Sequence, residues 1–435
     1  MPWRESLGPV RMARVALVAP VPRWRGVLVE VARSGVVELD LPYTPDVGPD
    51  ELDRAAESAI VSGPVAGLVG WTPVGRLPEL AATLADLGAA VVPLARPAGV
   101  QPPTLLTAAG PSQGSRMLVD TYGTVPYVDV DPSVLAGVAY VLMFGMMFGD
   151  VGQGAMLLLA GLILASGRIR QLERLKKIWL FVAGAGLASM VFGALYGEAF
   201  GPTGLVPVLW LDPLSSPIPL MLTAVMFGAV LLAGAYGLGT VNRVREGGWP
   251  LALYARSGIA GSLLFVSVGL LVWGLTASIA ALVPAAVALA LVALAFIFTG
   301  LFVEAGGGGT GLIQAVIELV DSVIRLGSNV VSFTRLAAFG LMHAALMMVI
   351  WNATTALWAP GWRALVAVVL FALGNVLAFA LEGLVAAVQA LRLEYYELFS
   401  RVFQSEGRAF QPWAPVLSPP APHEVSTQKN SDQIL

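Results

Sequence analysis

Six polar residues, Glu318, Asp321, Arg325, Ser328, Ser332 and Arg335, recur at steps of three and four inside one apolar stretch, 314–352. On a helix that spacing places them on one face, and His343, eight residues beyond Arg335, falls near its edge. A second apolar stretch, 363–403, aligns Glu382, Gln389, Arg392 and Tyr396 in the same way. Each charge at the centre of a bilayer costs about 2.5–3.5 kcal/mol on insertion scales, and residues that persist there usually mark ion pathways. Carboxylates and imidazole exchange protons at accessible pH, whereas arginine keeps its charge. The two stripes therefore suit proton movement along a pair of membrane helices. A plainer alternative makes Asp321 and Arg325 an i, i+4 ion pair, places Glu318, Glu394 and Glu397 among lipid headgroups, and makes His343 a packing residue. Arg335, deep in its stretch, fits that alternative worst. Asp150 and Glu198 fall at expected span ends, where a solvated or capping role is expected.

Composition says what kind of scaffold must hold these stripes. The chain has 435 residues, 57% hydrophobic and 12% charged, with a mean hydropathy of +0.78. An ordinary soluble protein carries about 25% charged residues. The charge is also uneven, with 24 of the 53 Asp, Glu, Lys and Arg in the first 132 residues. A soluble head followed by a large membrane domain is the organisation this implies. The absence of cysteine excludes disulfides, thiolate metal sites and cysteine nucleophiles. Two histidines, His343 and His423, do not make a histidine-rich metal centre. A net charge of −3 gives no case for nucleic acid. No signal peptide is expected, since Arg4, Arg11 and Arg14 interrupt the start of the chain. The run GGGGTG at 306–311 lacks the Lys-Ser/Thr of a phosphate loop, so neither a nucleotide site nor a cofactor is expected.

Apolar stretches of membrane-spanning length fall at about 133–149, 151–166, 178–200, 217–241, 257–276, 281–303, 314–352 and 363–403. As one helix, 314–352 would be about 58 Å long against roughly 30 Å of hydrocarbon, so it must tilt or protrude. Arg168, Arg170, Arg174, Lys176 and Lys177 lie in one connection and Arg243, Arg245 and Arg256 in another, while 201–216 and 277–280 carry no Lys or Arg. The positive-inside rule puts the basic connections, both termini and the head in the cytoplasm, with Arg363 the one residue against it. The expected division is a cytoplasmic α/β head over 1–132, a membrane domain of about eight spans over 133–403, and a cytoplasmic tail over 404–435. In the head, the patterns predict strands at 15–21, 36–41, 65–70 and 89–94, and helices at 24–34, 51–61 and 77–87. They suggest two small strand–helix–strand lobes.

The segments MFGMMFGDVGQG (143–154), FGALYGEAFG (192–201), SNVVSFTRLAAFGLMHA (328–344) and LEGLVAAVQALRLEYYELF (381–399), with PPTLL (102–106) and YGTVPYVDVDPS (122–133), carry a family likeness. They resemble the membrane stator subunit, called a or I, of V/A-type rotary proton ATPases. The resemblance implies a non-catalytic proton-channel subunit. Its partners would be a proteolipid ring with an ionisable carboxylate, peripheral-stalk and central-stalk subunits, and membrane lipid. It also implies that Arg335 and Arg392 face the ring and that Asp321, His343 and Glu382 belong to proton half-channels. Gln153 stands where the family often has His. The family's two head lobes are joined by a long helical hairpin, for which the stretch between VALVAP (15–20) and GWTP (70–73) leaves no room. A secondary transporter and a truncated paralogue in a partial assembly are the alternatives.

Overall fold

The computed structural model describes residues 8–41, 51–97, 99–106, 113–402 and 407–415. The Pro-rich 43–50 stretch and most of the expected 404–435 tail lie outside them. The chain divides into one unit of Val10–Leu105 with the segment from Arg408, and another dominated by Leu106–Gly407.

In the first unit, β1 (Met12–Pro20) alternates buried and less buried residues, as a one-sided strand must. Val15, Leu17 and Ala19 meet Trp24, Val27, Leu28 and Val31 of α1 (Trp24–Ser34) in one core. The chain continues through β2 (Glu38–Leu39), α2 (Glu51–Glu57), β3 (Ile60–Ser62), β4 (Val65–Pro73), α3 (Leu77–Ala85) and β5 (Ala90–Leu94). The two strand–helix–strand patterns do not form separate lobes. They interleave in one antiparallel sheet of order β2-β4-β1-β5, with β3 paired to β4. β1 and β4 pair over nine residues, from Met12↔Pro73 to Pro20↔Val65. This is the split βαβ arrangement, in which each half supplies strands to the other's neighbours. The helix expected over 51–61 stops at Glu57 because Ile60–Ser62 turns back onto β4 as a hairpin. Among the described residues, α2 is the only helix between β2 and β3.

The segment 408–415 completes this unit. Ala409 bridges Thr104 of the PPTLL motif, Arg408 pairs with Glu38 at 2.6 Å, and the Gln411 amide donates to Glu38 at 2.7 Å. Trp413 is buried with β1 and α1.

The second unit starts with α4 (Gln113–Tyr122), upstream of the boundary expected at 132. Its Tyr122 packs on Tyr395 and Phe399. Then come α5 (Ser133–Met147), α6 (Val151–Ser166), α7 (Trp179–Tyr196), α8 (Pro217–Tyr254), α9 (Ile259–Thr276), α10 (Leu282–Glu304), α11 (Gly308–Ser332), α12 (Thr334–Leu357) and α13 (Trp362–Leu393). A π-helical turn, Glu394–Phe399, and a last short helix, α14 (Ser400–Val402), follow. Among the described residues, six apolar helical segments are long enough to cross a membrane. The first two expected spans are shorter: α5 and α6 have 15 and 16 residues and reach about 22–24 Å at 1.5 Å per residue. Each packs on α7 through small residues. A Cβ on Gly161 would lie 2.6 Å from the Ala183 nitrogen, the close approach that small residues permit between membrane helices.

Two long stretches break where the sequence suggests continuity. α8 runs past the expected end at 241 and kinks at Gly248, whose φ of 75° suits a residue without Cβ. The stretch 314–352 divides at Phe333, where the Phe333 amide bonds the Val330 carbonyl instead of continuing the α pattern. Phe333 itself is fully buried, which anchors the junction of α11 and α12.

Candidate functional site

The turn between α5 and α6 creates the centre of the site. Asp150 caps α6, accepting from the Gln153 amide at 2.8 Å, as an N-cap aspartate should. It also accepts from the amides of Phe200 at 3.0 Å and Gly201 at 2.9 Å. The chain leaving α7 is thereby drawn over the turn. Gly193 permits this, because a side chain there would run into the backbone of Asp150. Glu198, on the same strand of chain, is held by its carbonyl accepting from Val151 at 2.9 Å. Asp150 and Glu198 are therefore buried rather than solvated. The capping role expected for Asp150 is present, but the solvation is not.

α12 and α13 bring His343 and Glu382 to this turn. Nδ1 of His343 lies 2.6 Å from Glu382 Oε2, and its Nε2 lies 4.0 Å from Glu198 Oε2. Both residues are buried. The ring packs on Phe148 with centroids 5.1 Å apart. Gln153 donates to Asn375 Oδ1 of α13 at 3.3 Å, so it ties the α5–α6 turn to the final long helix. Four ionisable side chains from four parts of the chain thus share one buried locus. Such a locus is costly unless its members hydrogen-bond one another or share mobile protons.

Arg335 lies at the N-terminal end of α12, eight residues or about 12 Å from His343. It is half-buried, and its Nη2 donates to Ser332 Oγ at 2.9 Å. Ser332 in turn donates to Glu397 of the π-helical turn. Glu397 therefore sits near Arg335 through a serine bridge, instead of among headgroups. The second guanidinium nitrogen, Nη1, has no hydrogen-bond partner among the described residues. Arg392 is exposed, on a face of α13 that also exposes Leu381, Leu384 and Val388, with Tyr396 of the π-helical turn exposed beyond it. Gln389 is half-buried on α13, and Glu394 is buried against α5 and α8.

The rest of the expected stripe does not join either centre. Asp321 and Arg325 pair at 2.6 Å on an exposed part of α11, the i, i+4 pair of the plainer alternative. Glu318 accepts from Gln314 at 3.0 Å and lies 3.5 Å from Arg256. Ser328 is exposed. The single face from Glu318 to Arg335 is therefore split by function of place: Ser332 and Arg335 lie with α13, while the earlier residues line α11. Sequence spacing missed Asp150, Glu198, Gln153 and Asn375, since helix periodicity cannot relate a turn to a helix two hundred residues away. The polar residues inside MFGDVGQG and LYGEAFG were the available signal. Beside the start of α5, burial and then the Glu246 carboxylate push Asp129 up to about 7.

Helices of this length and composition, joined to a small α/β head, define a polytopic membrane protein. The sequence matches the V-type ATPase 116kDa subunit family over residues 63–203 and 308–414, and the chain belongs to that family. It is 30% identical over 344 residues to an A-type ATP synthase subunit I of Aeropyrum pernix, covering 68% of this chain and 49% of the relative. A relative of the same name from Thermococcus kodakarensis is 26% identical, over 72% of this chain and 47% of its own. A V-type ATP synthase subunit I 2 of Treponema pallidum is 41% identical over a shorter match, 21% of this chain and 20% of its own. The chain spans about half the length of the first two.

Proposed function

We propose that the chain is a stator subunit of a rotary V/A-type ATPase or ATP synthase and forms proton half-channels against a turning ring of carboxylates. The observation that carries this reading is the pairing on α12 of a buried proton-exchanging locus with a half-buried arginine about 12 Å away. The names of the relatives agree with it.

In this mechanism Asp150, Glu198, His343 and Glu382 pass protons between one side of the membrane and the ring. Arg335 meets each ring carboxylate and holds it ionised, because an adjacent cation lowers a carboxyl pKa. A protonated ring carboxylate must then release its proton before passing, which separates the two half-channels. Glu397 and Ser332 fix the guanidinium from the other side. Arg392, on the exposed apolar face of α13, adds positive field where the ring docks. Asp321, with Glu318 and Arg325 on α11, serves the half-channel on the cytoplasmic side. The membrane potential supplies about 2.3 kcal/mol per charge per 100 mV. The chain itself performs no phosphoryl chemistry. It resides in the cell membrane with both termini in the cytoplasm, and its head meets the stalk subunits without a helical hairpin.

Reconstituted vesicles of the complex with a pH-sensitive dye test the proposal. Arg335→Ala is expected to assemble but not to pump. Arg335→Lys keeps a cation but loses reach and permanence of charge, so it is severely impaired as well. Arg392→Ala loses less. Normal pumping by Arg335→Ala would overturn the mechanism.

A further inference from the structure

The locus at the α5–α6 turn has a geometry that a proton route alone does not require. Nε2 of His343 and Oε2 of Glu198 face one another at 4.0 Å, and neither has a hydrogen-bond partner among the described residues. That separation is too long for a hydrogen bond. With Nδ1–H donated to Glu382, Nε2 presents a lone pair, so two lone-pair donors point into the same space. One donor atom each from Asp150, Glu198 and His343 lie within 4.8 Å of one another, all buried.

We propose that Asp150, Glu198 and His343 bind a divalent transition-metal ion of the Zn²⁺ class. Bonds of about 2.0–2.2 Å to nitrogen and oxygen set ligand atoms roughly 3.4 Å apart at the tetrahedral angle, so the His343–Glu198 gap of 4.0 Å closes by about half an ångström and separations within the 4.8 Å limit by at most about 1.4 Å. Asp150 has an oxygen to spare, since Oδ2 accepts only from the Gly201 amide. Glu382 completes the arrangement from behind. A histidine that ligates a metal through one nitrogen almost always donates the other N–H to a carboxylate or carbonyl, which fixes its tautomer and raises its basicity. The mixed nitrogen and oxygen set suits Zn²⁺ or its neighbours, not Mg²⁺ or Ca²⁺, which demand six or more oxygens. Three protein ligands leave a position for water. A bound ion would occupy the groups assigned above to proton transfer and block them. Binding stands independently of that assignment; the block rests on it.

The test uses the purified full chain in lipid nanodiscs, with His423→Gln to remove the other imidazole. Calorimetry with Zn²⁺ is expected to show one site per chain, unaffected by excess Mg²⁺. Glu198→Gln and His343→Gln should abolish it, Glu382→Gln should weaken it by about 10–100-fold, and Glu394→Gln, a buried carboxylate elsewhere, should leave it unchanged. Co²⁺ bound to the parental chain should show visible ligand-field bands that Zn²⁺ displaces, and X-ray absorption should show one imidazole in its coordination shell. These two readouts need no variant to fold. Absence of Zn²⁺ binding, or binding without imidazole, overturns the proposal. Zn²⁺ that binds through these residues yet leaves proton flux through the assembled complex unchanged supports the site and overturns the assignment of the locus to the proton route.

Discussion

Glu382 offers the sharpest separation between a structural and a proton-carrying role. Its carboxylate is buried and lies 2.6 Å from His343 Nδ1. A hydrogen bond to a charged group contributes about 1.5–3 kcal/mol net, and a neutral one about 0.5–1.5 kcal/mol. Glu382→Gln keeps an acceptor for the Nδ1–H, so it should cost about 1 kcal/mol. Glu382→Leu leaves that N–H buried without a partner, at about 1–3 kcal/mol. Removing a buried carboxylate also relieves its own desolvation, so both variants should remain folded and assembled. Neither Gln nor Leu exchanges a proton, however. Loss of a positioned acid–base group commonly lowers a rate by 10²–10⁴-fold, and a fall of about that order is expected in both. Dye-monitored pumping in vesicles, normalised to assembled complex, reads the rate, and thermal unfolding reads the stability. A merely structural Glu382 would spare the Gln variant and injure the Leu variant. Parental pumping by Glu382→Gln would refute the reasoning.

Asp321→Leu removes one partner of an exposed ion pair, the kind that contributes about 0–1 kcal/mol, so stability should hold while pumping slows; an unchanged rate makes the pair structural only. For Asp129, with its folded pKa raised to about 7, the stability held by the protonated form is full below the unfolded value near 4 and is lost as pH rises through 7. Asp129→Asn should therefore flatten the stability profile between about pH 4 and 7, as denaturation at stepped pH would show. Trp413→Ala empties a buried position in the head core, which typically costs about 3–5 kcal/mol; limited proteolysis should then release the 407–415 segment, and unchanged protection would place that segment's hold elsewhere.

The sequence by itself determined the class of the protein, because hydrocarbon imposes length and polarity on every segment that crosses it. Of the eight expected spans, six are helices of crossing length among the described residues; these, the placing of Arg335 on an apolar stretch, and the helix over 24–34 ending at Gly35 follow from local rules of burial, spacing and backbone freedom. The same rules put His343 and Glu382 on candidate stripes. They did not reach Glu198 or Asp150, whose place depends on a loop drawn by backbone hydrogen bonds over a distant helix turn. They also overstated the first stripe. Its i, i+3 and i, i+4 steps are real, but α11 meets few neighbours and leaves Asp321 and Arg325 to each other, whereas α12 packs against α13 and the α5–α6 turn. In the head, alternation predicted strands without their partners, and only the nine-residue pairing of β1 with β4 merged two expected lobes into one sheet. Local chemistry fixes what each segment is able to be; which groups share a buried locus is decided by contacts between segments far apart in the chain, where a polar group finds its partner or pays for lacking one.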